Sequence, residues 1–211
     1  SGLMPPLQSA YRPGHSTETA TLKVLSDILD AADSQKTTLL SLLDMSAAFD
    51  TVDFEILLRR LETSYGLSGT VLKWLTSFVT GRTQAVVFDG VTSSPVKLIC
   101  GVPQGSVLGP LLFVLYAADV MTIANSHGVK IHAYADDLQT YVSCNAVDQS
   151  AAVTQVLACI DDISNWMSSN RLKLNAAKTE FIWLGTRQQL AKITRQPLDV
   201  GRSPVTPVNK V

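Results

Sequence analysis

Asp136 and Asp137 stand side by side in KIHAYADDLQTY, with strand-forming apolar residues on both sides. Adjacent carboxylates repel, and a shared divalent cation is the simplest way to keep both ionised. A tight turn also accounts for such a pair, because polar side chains can leave a core there. Asp44 adds weight to the metal reading, because it ends the buried apolar run of TLLSLLDMS. If that run neighbours the hairpin around Asp136, three carboxylates meet at one sheet edge, and hard oxygen donors of this kind suit Mg2+ or Mn2+. Two such ions, about 3.5–4 Å apart, activate a 3′-hydroxyl and stabilise a leaving pyrophosphate in an in-line displacement. Asp50 and Asp53 are weaker candidates, since helix initiation and capping explain them.

The elements that must position these carboxylates follow from periodicity and caps. Ser16 caps a helix predicted over 17–32, with Leu22, Leu25, Ile28 and Leu29 at helical spacing. TLLSLLDMS reads as a buried strand with Asp44 at its C-terminal end. Asp53 and Ser68 begin two further helices, which stop near Gly66 and Gly81. TQAVVFDGVTSSPVKLIC reads as a hairpin turning at Asp89-Gly90 or, alternatively, between Thr92 and Pro95. Pro110 suits the first turn of an apolar helix running to about Ala124. The hairpin at 130–144 comes next, then a helix over about 147–168, and RLKLN and TEFIWLG as two last strands around Lys178. Beyond about Gln188 the pattern fades among Pro197, Pro204 and Pro207, which suggests a linker or an unfinished element. Strands interspersed with helices and hairpins predict an α+β fold: a mixed sheet with helices packed mainly on one face.

Composition narrows the class. With 46% hydrophobic residues in 211, the chain can bury a sizeable core, which argues against disorder. Charged residues make up only 17%, so some apolar surface is expected to be covered by further sequence or a partner. Cys100, Cys144 and Cys159 lie far apart, with no His in ligand spacing, and read as reduced residues of an intracellular protein. No signal peptide or membrane span is expected, because the apolar stretch 107–123 is interrupted by Gly109, Pro110 and Asp119. Residues 1–170 carry 9 Lys+Arg against 16 Asp+Glu, a net −7, whereas residues 171–211 carry 8 against 2, a net +6. An acidic body with a basic end is compatible with a metal site beside a polyanion track, and equally with an ordinary enzyme bearing a solvated tail.

LLDMSAAFDTVD, GVPQGSVLGPLLF, YADD and LNAAKTEFIWLG occur in the order of the A, B, C and D motifs of a reverse transcriptase. With SAYRPGHSTETA near the start, the chain resembles the non-LTR, LINE-type retrotransposon branch, jockey-like and chicken-repeat-like elements in particular, over roughly residues 8 to 185. The resemblance implies a right-hand polymerase palm. Residues 1–37 would be partial fingers, 38–186 the palm, with 65–100 a fingers-side insertion, and 187–211 a linker or the start of a C-terminal region. Asp44, Asp136 and Asp137 would hold the metal ions. Met45 and Ser46 would face the triphosphate through their backbone, and Phe49 would be a steric gate against the ribose 2′-hydroxyl. Gln104 and Gly105 would lie against nucleotide and template. Lys178 would counter or protonate the departing pyrophosphate, and Arg12 would reach template or triphosphate from the fingers. Core packing, a flexible loop and a solvated turn are the plain alternatives for Phe49, the glycines and Lys178.

The implied activity is RNA-directed DNA synthesis from dNTPs onto a primer 3′-hydroxyl, with an RNA template, a DNA primer and two Mg2+ ions, or Mn2+ in their place. Leu138 replaces the Thr common after YADD, a change expected to be tolerated beyond the metal ligands. The family's upstream finger motif, primer grip, thumb and endonuclease are not recognised, so a palm with part of the fingers is expected. An RNA-dependent RNA polymerase is a second reading, opposed by Phe49. The third is an inactive or domesticated copy that binds nucleic acid or protein. An intracellular location is expected, with the nucleus favoured by the family's need to reach chromosomal DNA.

Overall fold

The computed structural model describes residues 4–201 and 203–210, so residues 1–3 of the expected fingers and residues 202 and 211 of the expected linker lie outside the described residues. Ser16 and Thr19 form a reciprocal capping box that starts helix α1 (Thr17–Asp33). Strand β1 (Thr37–Leu43) follows, and Asp53 then caps α2 (Phe54–Thr63) by accepting from the Ile56 backbone N–H. Helix α3 spans Gly69–Val79. Four two-residue strands, β2 (Thr83–Gln84), β3 (Val87–Phe88), β4 (Val91–Thr92) and β5 (Val96–Lys97), build the expected hairpin as nested ladders. Its turn is Asp89-Gly90, both at positive φ, as hairpin chirality requires.

The apolar stretch expected as one helix is two: α4 (Leu108–Tyr116) and α5 (Asp119–Ser126). The break falls where α2 and the residues after it take up the carbonyls. The Arg60 guanidinium donates to the Tyr116 carbonyl, and the Tyr65 hydroxyl donates to the Leu115 carbonyl at 3.0 Å. Arg60 also pairs with Asp119 at 3.2 Å, in the first turn of α5. Residues 108–126 are apolar enough over 19 residues to cross a membrane by length and composition, but about half of that surface is buried against the rest of the fold.

Strand β6 (Lys130–Tyr134) turns through Ala135 and Asp136 into β7 (Asp137–Cys144). Helix α6 (Gln149–Ser169), strand β8 (Glu180–Leu184) and helix α7 (Arg187–Leu190) follow. RLKLN, expected as a strand, makes a single antiparallel bridge between Leu174 and Met45. The C-terminal stretch, expected as a linker or an unfinished element, carries short strands. Strands β9 (Leu198–Val200) and β10 (Ser203–Val205) pair with each other, and β11 (Val208–Lys210) adds in parallel to β8. Prolines thin the local signal here, while the edge of β8 supplies the ladder that orders β11.

The main sheet has the order β11-β8-β1-β7-β6 and is antiparallel apart from the β11–β8 pair, the mixed, mainly antiparallel sheet that was expected. Alternation divides its side chains. Leu39, Leu43, Ile131, Leu138, Phe181 and Trp183 pack with α2 to α6, whereas Leu40, Tyr141 and Ile182 pack with Val24 of α1. Most helices therefore cover one face and, among the described residues, α1 alone covers the other. Each fully buried Leu, Ile or Phe side chain contributes roughly 1.5–3 kcal/mol, enough to fix the register of β1 between β7 and β8. Cys144 and Cys159 are buried, free thiols pushed up by burial, that of Cys159 to about 11, and Cys100 is free and partly buried.

Candidate active site

Leu43 lies opposite Leu138, the last pair of the β1–β7 ladder at this end, so Asp44 leaves β1 at the level where Asp137 begins β7. Both carboxylates and Lys178 line one cavity of about 530 Å3, together with Gln139 and Glu180. Asp136 sits on the turn beside it. Partial burial pushes the Asp136 carboxyl up from the usual carboxylate range, and the charges of Asp137 and Asp44 push the same way, while a backbone hydrogen bond and Lys178 oppose. Repulsion of this kind favours a counter-cation.

Asp44 already has a cation and an amide donor beside it. Lys178 Nζ is 3.3 Å from Asp44 Oδ2, and the Asn175 side-chain amide donates to the same oxygen at 3.2 Å. The Asn175 backbone N–H donates to the Asp44 carbonyl at 2.8 Å, which ties the short turn 176–178 to the end of β1. Asn175 was not anticipated. Its place at the start of the turn that presents Lys178 was the available signal. In donor type and charge the three aspartates fit a hard divalent cation. Among the described residues, however, no group of three or more His, Cys, Asp or Glu side chains stands close enough to hold one, so their convergence stops short of a finished cage.

The residues after Asp44 have other uses for their backbone. Met45 is buried in the core, and the Ser46 N–H donates to the Lys173 carbonyl at 2.9 Å, so that group is not free for a triphosphate. Phe49 is half-buried and packs its ring on Phe113 with centroids 4.5 Å apart, while its carbonyl accepts from the Val102 N–H at 2.8 Å. The segments around Asp44 and around Gln104 are thereby stitched together. Gly101, at φ +88°, closes the seam: a Cβ there would lie 2.9 Å from the Asp50 carbonyl oxygen. A Cβ at Gly109, in the first turn of α4, would collide with the Pro103 carbonyl oxygen, so both glycines serve close approach and Gly101 alone of the two also turns the chain.

Gln104 and Gly105 are exposed, and Gln104 Nε2 donates to Asp50 at 2.7 Å. Asp50, a weak candidate by sequence, therefore orients one of the stronger ones. Arg12 is half-buried and donates to the carbonyls of Pro5 and Pro6, at 3.5 and 3.2 Å. The structure shows it holding its own segment. A second cavity, of about 370 Å3, is lined by Lys23, Asp27, Lys130 and Tyr141 among others. Its carboxylate is satisfied internally: burial raises the Asp27 carboxyl, but hydrogen bonds from Lys23 and Tyr141 and the charge of Lys130 bring it down to about 2.

A mixed sheet carrying carboxylates at the ends of neighbouring strands, with a lysine against one of them, is the arrangement of a nucleotidyl-transfer palm. The reverse transcriptase (RNA-dependent DNA polymerase) family matches residues 2–198, and the chain belongs to it. Its relatives are retrotransposon proteins of the non-LTR, LINE type. It is 28% identical over 189 residues to the RNA-directed DNA polymerase from mobile element jockey of Drosophila melanogaster, covering 87% of this chain and 20% of that protein. A probable RNA-directed DNA polymerase from transposon BS of the same species is 29% identical over 182 residues, covering 84% and 20%. One from transposon X-element is 39% identical over 119 residues, covering 56% and 13%. The chain thus spans about a fifth of the length of the first two of these curated relatives. Among solved structures, Candida tropicalis telomerase, in complex with a fragment of telomeric RNA, superposes with a TM-score of 0.64 at 13% identity, over 84% of this chain and 30% of that one. Candida albicans telomerase gives 0.60 at 17%, over 91% and 33%. These likenesses support the palm fold.

Proposed function

We propose that this chain is the palm, with part of the fingers, of an RNA-directed DNA polymerase that adds dNTPs to a DNA primer on an RNA template during retrotransposition. Residues 4–37 are assigned to the fingers side and 38–186 to the palm. The observation that carries the reading is the approach of Asp44, Asp136 and Asp137 at one end of β1 and β7, with Lys178 3.3 Å from Asp44. Asp44 and Asp136, with Asp137 as third carboxylate, would hold two Mg2+ or Mn2+ ions. Bound there, the ions would supply Lewis acidity toward the primer hydroxyl and the triphosphate. Lys178 offers its proton or its charge at the pyrophosphate side, and Phe49 bounds the space beside the sugar. The seam between Phe49 and Val102 keeps that wall and the Gln104 loop in fixed relation. An element that copies itself into chromosomal DNA acts in the nucleus, and we assign the chain there.

The test is primer extension on an RNA template with Mg2+, using this chain, its Asp136→Ala variant, and a longer chain that includes flanking fingers and thumb. DNA synthesis by the longer chain, lost by at least about 10³-fold in its Asp136→Ala version, is the expected result. A folded longer chain inactive with both metals and both nucleotide types would overturn the reading in favour of a binding module.

A further inference from the structure

The turn that presents Asp136 has only two residues, and Ala135, its first, sits at φ +57°. An alanine has no intrinsic reason to adopt that conformation, so something outside the hairpin must hold it. The holder is Gln8, a residue 127 positions away and only 3% exposed. Its Oε1 accepts from the Ala135 N–H at 2.9 Å, and its Nε2 donates to the Ala135 carbonyl at 3.2 Å. One side-chain amide thus satisfies both main-chain groups of the turn's strained alanine. The Ala10 N–H donates to the same Oε1 at 2.9 Å, which fixes the orientation of the amide, since a flipped group would set its NH2 against two N–H donors.

The backbone around Gln8 is anchored to the same strand. The Ala133 N–H donates to the Leu7 carbonyl at 2.9 Å, and the Ser9 N–H donates to the Ala133 carbonyl at 3.0 Å. Residues 7–9 therefore extend the sheet beyond β6 in parallel, and the Gln8 side chain reaches along it to the turn.

We propose that Gln8 is a positioning residue for the active site: it locks Ala135 in the left-handed conformation and so fixes the direction in which Asp136 leaves the turn. The proposal rests on the reading of Asp136 as a metal ligand. Only an amide of this length suits the task, because both a donor and an acceptor are needed. Gln8→Glu keeps the acceptor and loses the donor, while Gln8→Met keeps the length and loses both.

The experiment titrates Mn2+ alone into the 211-residue chain by water-proton relaxation, and follows exchange of the Ala135 amide proton by NMR. The proteins are the wild type and its Asp136→Ala, Gln8→Met, Ala135→Gly and Gln8→Met/Ala135→Gly variants. Gln8→Met is expected to speed Ala135 exchange at least tenfold and to weaken Mn2+ binding at least fivefold. Ala135→Gly in that background should restore at least half of the lost affinity, because glycine adopts positive φ unaided. A merely structural role for Gln8 would not be relieved by that change. Should Gln8→Met fail to fold, Gln8→Glu is read in the same way. Wild-type Mn2+ affinity no better than that of Asp136→Ala would mean that the metal reading has failed, and the positioning role with it. A wild type that binds Mn2+ through Asp136, beside a folded Gln8→Met that binds it within twofold as tightly, overturns the positioning role alone.

Discussion

Phe49 is asked to do two things. Its ring is half-buried against Phe113, and the same ring is proposed to bound the sugar pocket. The two roles are separable by size. Phe49→Val keeps an apolar wall but removes the ring, which should lower the preference for dNTPs over rNTPs at least tenfold, read as the ratio of kcat/KM values in the longer chain. The packing loss should cost about 1–2 kcal/mol, less than a fully buried Phe because one side of the ring faces out. An unchanged nucleotide preference in a stable variant would leave Phe49 a packing residue only. Asp44, Asp136, Asp137, Phe49, Gln104 and Lys178 were all legible as candidates because motif order places them. Asn175 and Gln8 were not singled out: an amide side chain does not titrate, and the role of each exists only through a partner distant in sequence.

Among elements, α1, β1, α2 and both hairpins were readable, because a capping Ser or Asp, an apolar run or an Asp-Gly turn encodes each locally. The break between α4 and α5 was not, since it depends on Arg60 and Tyr65 taking carbonyls from another element. Tertiary demand likewise made β11 out of a proline-spaced tail. The strip at residues 7–9 has an internal pH dependence of its own. His132 on β6 is buried and bonds to the Ser9 hydroxyl at 2.9 Å, and its Nδ1 has no hydrogen-bond partner among the described residues. Burial pushes its pKa down, Lys23 and His15 push the same way, and Asp27 opposes. A histidine lowered in the folded state favours folding fully above its unfolded pKa of about 6.5, and that contribution is lost as pH falls through the folded value. Stability measured by denaturant midpoint should therefore drop between pH 7.5 and 5.5, and His132→Gln should flatten that slope. An identical slope in the variant would assign the pH dependence to other groups.

At the scale of the whole molecule, the hairpin of β2 to β5 stands apart from the core. Val87, Phe88, Val91 and Val96 are 66–81% exposed, and no residue from 83 to 99 is buried. Exposed apolar side chains on short, poorly covered strands promote association. Sedimentation velocity should show concentration-dependent self-association of the chain, reduced in a Val87→Lys/Phe88→Ser variant without loss of helical signal. A wild type that stays monomeric at high concentration would show that the patch is tolerated in water. The low charge content of the sequence anticipated such a surface, though not its location.

The pairing of Gln8 with Ala135 also bears on the order in which the molecule assembles. Closing a loop of that length costs entropy that only the finished sheet can offset, and distant contacts of this kind form slowly. During synthesis the N-terminal strip must wait until β6, β7 and their turn have emerged. The aspartate turn is therefore completed late, and a chain interrupted before that point carries Asp44 without its partners.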